Sequence, residues 1–277
     1  MAMSRSAQVY ADFLLPHLTP DTHLVDVGCG SGELTLELAP SVRQITGIDV
    51  DEGEVDEARR KAGLLGIVNA DFRLGDAYAL DLPGDQADAV FGHSVLEALD
   101  RPAEALTEMK RVLRPGGVVA VASVEYGGLI LAGPDAALVR RFYEIREQLW
   151  KIEGADPFLG RGLRGLLLGA GFVDVAASTT YISYGTTEAV RDFGRGRAED
   201  CADDWYVASA QRHKLATPDD LAAMRQAWLE WSESSASYAA FAWCRALGWK
   251  PTARPATDVR ARRRPTRHRA TAVGARS

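Results

Sequence analysis

Several things are scarce in this chain, and each shortage removes a class of function. Its 277 residues include only three cysteines, Cys29, Cys201 and Cys244. An odd number at wide spacing offers neither a disulfide frame nor a cysteine zinc site, and it fits a reducing, cytoplasmic compartment. No apolar run approaches the ~20 residues needed to span a bilayer. The opening Met1-Ala2-Met3-Ser4-Arg5 leads to Asp12 and Pro16 rather than to a signal-peptide core. No His, Asp or Glu group has metal-ligand spacing, so no metal is expected. No internal repeat is present.

Positive charge is outnumbered by negative until the end of the chain. The formal net charge is −6 overall, but from Lys250 onward nine Lys and Arg face the single acid Asp258. That tail is near +8, which leaves −14 for residues 1–249. An acidic body repels polyanions, which argues against nucleic acid as its partner. Residues 251–277 are Arg, Pro, Ala and Thr with almost no large apolar side chain, so they are expected to be disordered. Whether this tail only aids solubility or touches phosphates or an acidic protein stays open, as does the oligomeric state. What the chain does have is core: 47% of residues are hydrophobic, ample for one large α/β domain over residues 1–250.

The most informative stretch is near the start. Leu24-Val25-Asp26-Val27 is a short apolar run, glycines follow at once in Gly28-Cys29-Gly30-Ser31-Gly32, and Leu34, Leu36, Leu38 and Ala39 begin a helix-like pattern. The order is strand, glycine turn, helix. Gly28 and Gly30 are expected to turn the chain tightly and present backbone N–H groups to a ligand, and Gly32 to let helix and strand approach. A dinucleotide fingerprint wants G-x-G-x-x-G. Here the third glycine arrives one residue early and Glu33 stands where that pattern needs Gly, so a pyrophosphate would meet a carboxylate. The next strand, Gln44–Asp49, ends in an acid ~20 residues past the glycines, where a ribose lies. Asp49 can accept hydrogen bonds from both vicinal hydroxyls. The alternative for Asp49 is to cap the following helix, but Asp51 is placed for that.

The form D-x-G-x-G-x-G from Asp26 to Gly32, with an acid closing the next strand, resembles the first motif of class I S-adenosylmethionine-dependent methyltransferases. Ala70–Ala77, a third strand leading into a turn, resembles that family's third cofactor motif. The fourth strand Ala87–His93, the segment Val95-Leu96-Glu97-Ala98-Leu99, a helix opened by Arg101-Pro102 and the run Arg111-Val112-Leu113-Arg114-Pro115-Gly116-Gly117 resemble the ubiquinone and menaquinone methyltransferase-like branch, type 11. One departure is Ala98, where those relatives often carry His.

The resemblance implies S-adenosyl-L-methionine as cofactor. It would be held by Asp26, Gly28, Gly30, Gly32 and Asp49, with Val50 against the adenine face and Asp76 and the Ala77 N–H at the adenine edge. Tyr10, on a short N-terminal helix ending at Pro16, would reach the methionine end or else pack as a surface aromatic. His93, at the carboxyl edge of the fourth strand, is either a general base or a residue whose backbone carbonyl meets the cofactor's ammonium. The implied activity is methyl transfer to O, N or C of an apolar or aromatic small molecule, quinone-like or a secondary metabolite. Two alternatives are a nicotinamide-dependent oxidoreductase and a non-catalytic S-adenosylmethionine-binding protein.

The implied fold is a doubly wound, Rossmann-like, seven-stranded sheet. Val118–Ala122 reads as the fifth strand, Ala136–Ile152 and Leu163–Leu168 as helices, Phe172–Tyr181 as the sixth strand and Tyr238–Cys244 as an antiparallel seventh. Between the last two strands, residues 187–235 read as a helical insert. Its Phe193, Trp205, Tyr206, Trp228 and Trp231 either line an apolar acceptor pocket or attach the insert to the sheet.

Overall fold

The computed structural model describes residues 6–252. The disorder expected for the tail concerns residues that lie, from 253 on, outside the described residues. The first half of the chain alternates strand and helix. Short α1 (Ala7–Tyr10) precedes β1 (His23–Val27), α2 (Glu33–Leu38), β2 (Gln44–Asp49), α3 (Glu52–Leu65), β3 (Ala70–Leu74), β4 (Ala87–His93), α4 (Pro102–Val112) and β5 (Leu113–Ala132). There follow α5 (Ala136–Ile152), α6 (Leu163–Gly169), β6 (Val173–Tyr184), α7 (Thr187–Asp200), α8 (Asp204–Arg212), α9 (Pro218–Glu233) and β7 (Tyr238–Trp249).

The seven strands form one sheet in the order β3-β2-β1-β4-β5-β7-β6. The β1/β2, β2/β3, β1/β4 and β4/β5 pairs are parallel, and β7 runs antiparallel to both β5 and β6. The chain winds outward from β1 to β3 and then returns to the other side of β1. The carboxyl ends of β1 and β4 therefore flank a switch point, where open α/β sheets leave a crevice.

Successive residues of a strand point to opposite faces. Leu24, Phe91 and Ala120 thus join Leu14, Leu38 and Ile45 on one side, while Val25, Val90 and Val121 join Leu106, Met109 and Leu167 on the other. Both faces are covered, which is why the central strands read as nearly unbroken apolar runs. A third core belongs to the insert. Val139, Phe142, Ile145 and Leu149 of α5 pack with Phe193, Tyr206, Trp228 and Trp231 beyond the sheet's edge.

Helix ends follow local chemistry. Asp51 caps α3 by accepting from the N–H groups of Gly53 and Glu54, and Thr217 and Asp220 form a reciprocal capping box on α9. The N-terminal helix is shorter than expected, four residues followed by a 3-10 turn at Leu15–His17. Strands β5 and β7 are longer than the sequence reading gave. Past the parallel sheet they continue as an antiparallel pair, with a register shift between Glu125 and Ile130. Glu125, Gly127 and Gly128 occupy that irregularity and interrupt the apolar run, which hides the strand's outer half in the sequence. Among the described residues no helix is long and apolar enough to cross a membrane.

Candidate active site

The glycine turn after β1 is held in left-handed backbone, with φ of 75° at Gly28, 50° at Gly30 and 77° at Gly32. A Cβ on Gly28 would stand 2.7 Å from Val95 Cγ2, and one on Gly32 would stand 2.9 Å from Ala58 Cβ. On Gly30 the nearest atom would be Glu54 Oε2, at 3.8 Å. Gly28 and Gly32 are therefore close-packing positions, and Gly30 alone of the three has room for a ligand before it.

The backbone amides correct one expectation. The Gly28 and Cys29 N–H groups both donate to the Ile48 carbonyl, at 2.8 and 3.1 Å, and the Gly30 N–H donates to Asp49 Oδ2 at 2.7 Å. These amides tie the turn to the end of β2 instead of facing a ligand. Glu33 is likewise placed differently: it lies 3.7 Å from Lys61 Nζ, and the carboxylates fronting the turn are Asp49 and Glu54.

Asp26 sits beneath the turn, 2% exposed, and accepts a 2.6 Å hydrogen bond from the Thr35 hydroxyl of α2. Burial, assisted by the charge of Asp49, pushes its carboxyl up to about 7. It positions strand against helix and does not present itself at the surface. Asp49 is half-buried, and its other oxygen accepts from the Asp51 N–H at 3.1 Å. A carboxylate has about four lone-pair sites, so each oxygen retains capacity for a hydroxyl. Val50 is 76% exposed and Leu74 54%, a large apolar pair left uncovered at the same edge. The Gly75 N–H donates to the Asp49 carbonyl at 2.8 Å, which brings exposed Asp76 and half-buried Ala77 beside them. Asp76 Oδ1 accepts from the Tyr78 N–H at 2.8 Å.

At the end of β4 the surroundings become aromatic. His93 is 5% exposed, its ring stacked on Trp243 at 4.5 Å and met edge-on by Tyr10 at 5.1 Å. Tyr10 also meets Trp243 edge-on at 5.6 Å. Three rings from α1, β4 and β7 thus converge where the sheet ends. Ser94 follows with φ 58°, an uncommon conformation for a residue with a side chain, and its N–H donates to the Ala122 carbonyl at 2.8 Å. Fully buried Glu97 accepts from the Ser123 hydroxyl at 2.7 Å, fastening the loop after β4 to β5. Burial raises its pKa. Glu97 was visible in the sequence only as part of a motif, with no role attached.

A cavity of about 620 Å³ runs from Tyr10, Ser94 and Trp243 at the sheet's edge to Tyr126, Arg146 and Arg197 beneath the insert. The two readings of the insert's rings separate here. Trp228 and Trp231 are fully buried and Tyr206 is 2% exposed, all in the insert's own core, and Trp205 is 44% exposed. Of the five rings named from the sequence only Phe193 lines the cavity. The physical reason is that α9 packs against α5 and α7, so Trp228 meets Phe142, Tyr143 and Phe193, while Trp231 Nε1 donates to the Ala132 carbonyl at the end of β5 at 2.8 Å and ties the insert to the sheet. Among the described residues no group of three or more His, Cys, Asp or Glu could hold a metal ion.

Residues 25–121, from β1 into β5, match the family model described as a methyltransferase domain. This stretch is a methyltransferase domain. The methyltransferase domain thus contains the glycine turn, Asp49, Asp76, His93 and Glu97, and leaves the insert outside the matched span. Over 182 residues the chain is 31% identical to an uncharacterised methyltransferase of Schizosaccharomyces pombe, covering 61% of this chain and 63% of that one. Over 114 residues it is 32% identical to a ubiquinone biosynthesis O-methyltransferase of Dinoroseobacter shibae, covering 41% and 46%. The chain therefore spans less than two thirds of the length of these relatives. The fold is similar to that of the YcgJ protein of Bacillus subtilis, with a TM-score of 0.58 at 14% identity, covering 88% of this chain and 99% of that one. It is also similar to phosphoethanolamine N-methyltransferase 2 of Haemonchus contortus solved with S-adenosyl-L-methionine, with a TM-score of 0.55 at 13% identity, covering 88% and 53%.

Proposed function

We propose that this protein is an S-adenosyl-L-methionine-dependent methyltransferase acting on O, N or C of an aromatic or apolar small molecule. Its functional unit would be residues 1–250, with the helices of 187–235 as a cap and the cytoplasm as its compartment. The observation that carries the reading is the open space before Gly30, flanked by the half-buried Asp49 carboxylate and the exposed Val50, at the switch point of a methyltransferase domain.

The residues fit that cofactor better than a dinucleotide. Asp49 and Glu54 front the turn, so the local field favours a ligand of net positive charge and opposes a diphosphate. When bound, the cofactor supplies a methyl group already activated on a positively charged sulfur. Asp49 would hold the ribose hydroxyls, Val50 would cover the adenine, and Asp76 with the Ala77 N–H would read its edge. Tyr10 and Trp243 line the cavity at this edge with the His93 ring packed against both, and the three would exclude water from the methionine end. His93 would act there through its ring or through its backbone carbonyl. Holding two reactants in line is the main demand on the protein, and such orientation is worth effective molarities of ~10⁵–10⁸ M. A quinone-like or secondary-metabolite acceptor accords with the rings of Trp150, Phe193 and Trp243 along the cavity.

Calorimetric titration with S-adenosylmethionine, S-adenosylhomocysteine and NAD tests the cofactor, and an acceptor panel read by mass for the gain of one methyl group tests turnover. Binding of the two sulfur nucleosides with silence toward NAD is expected. NAD binding with silence toward both would replace this reading with an oxidoreductase, and cofactor binding without product from any acceptor would leave a binding protein.

A further inference from the structure

The end of the cavity beneath the insert carries two partly buried arginines with one carboxylate between them. Arg146 of α5 and Arg197 of α7 share one carboxylate, Asp200 Oδ2, at 3.5 and 3.0 Å. Both Nε atoms are buried without a hydrogen-bond partner. Asp200 Oδ2 is likewise buried and accepts no hydrogen bond. Two phenols lining the same cavity meet the guanidiniums, Tyr143, a side chain 4% exposed, at Arg197 and Tyr126 at Arg146, and a phenol oxygen that accepts from Arg keeps its own O–H to donate. The guanidiniums are held in place by rings: Arg197 lies 5.4 Å from the Phe193 centroid and Arg146 lies 5.8 Å from that of Trp150. Asp192 and Glu199 also line the cavity but are exposed at its rim, and Arg195 there is engaged by Glu233 at 2.9 Å.

Two guanidiniums against one carboxylate leave one uncompensated positive charge, and buried donors without acceptors are costly. A planar anion answers both. Arg presents paired N–H donors that match a carboxylate, and a phenolic O–H adds a third donor. A phosphate would bring a second negative charge that nothing in the cluster matches. The opposite end of the cavity, at Tyr10, Ser94 and Trp243, is the end that adjoins the glycine turn's edge of the sheet.

We infer that the methyl acceptor is a small carboxylic acid with an aromatic or apolar body, its carboxylate held by Arg146, Arg197 and Tyr143 and its nucleophilic atom directed toward Ser94. This rests on the proposed methyl transfer for the word acceptor, but the carboxylate site is a property of the cavity and is tested by binding alone.

The test uses the full chain and four acids, 4-hydroxybenzoate, 3,4-dihydroxybenzoate, indole-3-acetate and hexanoate, each paired with its neutral methyl ester. Binding is read by calorimetry, in the wild type and in Arg197→Gln, Arg146→Gln and Arg197→Lys, with S-adenosylhomocysteine titrated separately into each. At least one acid is expected to bind about tenfold or more tightly than its ester in the wild type. That preference should fall to about twofold in either Gln variant and survive in part in Arg197→Lys, with S-adenosylhomocysteine affinity unchanged. No preference for any acid in the wild type, or a preference retained in both Gln variants, overturns the inference. If one Gln variant fails to fold by circular dichroism, the other decides. If both fail, the wild-type acid-to-ester ratio decides, read with its decline as salt rises from 50 to 500 mM. A chain that prefers acids but ignores S-adenosylhomocysteine keeps the carboxylate site and loses the cofactor. The reverse pattern loses only the carboxylate site.

Discussion

At the scale of single residues the candidate site is a set of carboxylates with different tasks, and burial sorts them. Asp26 has a folded-state pKa of about 7 against 3.8 for an ordinary Asp. Between those values the folded chain holds a proton that the unfolded chain has released. Stability should therefore fall as pH rises from about 4 to about 7 and level off above. Asp26→Asn removes that titration, and urea midpoints measured across the range should lose this part of their slope. An identical slope in the variant would show that Asp26 does not cause it. Asp49 is half-exposed and has capacity for a ligand, so Asp49→Ala should weaken S-adenosylhomocysteine binding by about 1.5–3 kcal/mol, read by calorimetry. Unchanged affinity would remove Asp49 from the site. Gly30→Val should abolish binding, read by calorimetry, because the side chain fills the open space before the turn and its branched Cβ strains backbone held at φ 50°; retained affinity would remove Gly30 from the site. For His93→Ala, a lower turnover with unchanged cofactor affinity assigns the work to the ring, and wild-type turnover assigns it to the main chain.

At the scale of elements, legibility followed the strength of the local pattern. Helix α5 was readable to the residue from the apolar spacing of Val139, Phe142, Ile145 and Leu149, all of which are buried. Asp51 was readable as a cap because the acid immediately precedes a helical pattern. The outer half of β5 was not, since Glu125, Gly127 and Gly128 erase its strand signature and its pairing with β7 comes from residues more than a hundred positions away. Nor could the sequence tell which side of each insert helix meets the cavity. Nothing in the sequence sets Arg146 and Arg197 apart from the other charges of their helices, and only the placement of α5 and α7 around a common space brings them together. For the same reason the insert's tryptophans were open to two readings, and packing decided for attachment. Trp228→Ala should then behave as a core truncation, costing about 3–5 kcal/mol of stability in denaturant titration with cofactor affinity nearly unchanged. A fall in cofactor affinity with full stability would return that ring to the site.

At the scale of the molecule, the two halves of the proposed ligand space are built from different parts of the chain. The loops after β1, β2 and β3 make the cofactor side, all within the span that matches the methyltransferase domain. Helices α5 and α7 and the projecting ends of β5 and β7 make the acceptor side, most of it outside that span. The doubly wound, seven-stranded arrangement was implied by the resemblance to class I methyltransferases, whereas the alternation of strand and helix was evident in the sequence, because each βα unit leaves a local mark. Their assembly around an acidic body, −14 over residues 1–249, was also apparent, but the small basic cluster inside it was not, since formal charge sums conceal position.

The antiparallel extension of β5 and β7 also sets how the two sides share strain. Beyond the register shift between Glu125 and Ile130 the ribbon is paired only with itself and β6, so its overhang can flex or be recut while the parallel strands below keep their register.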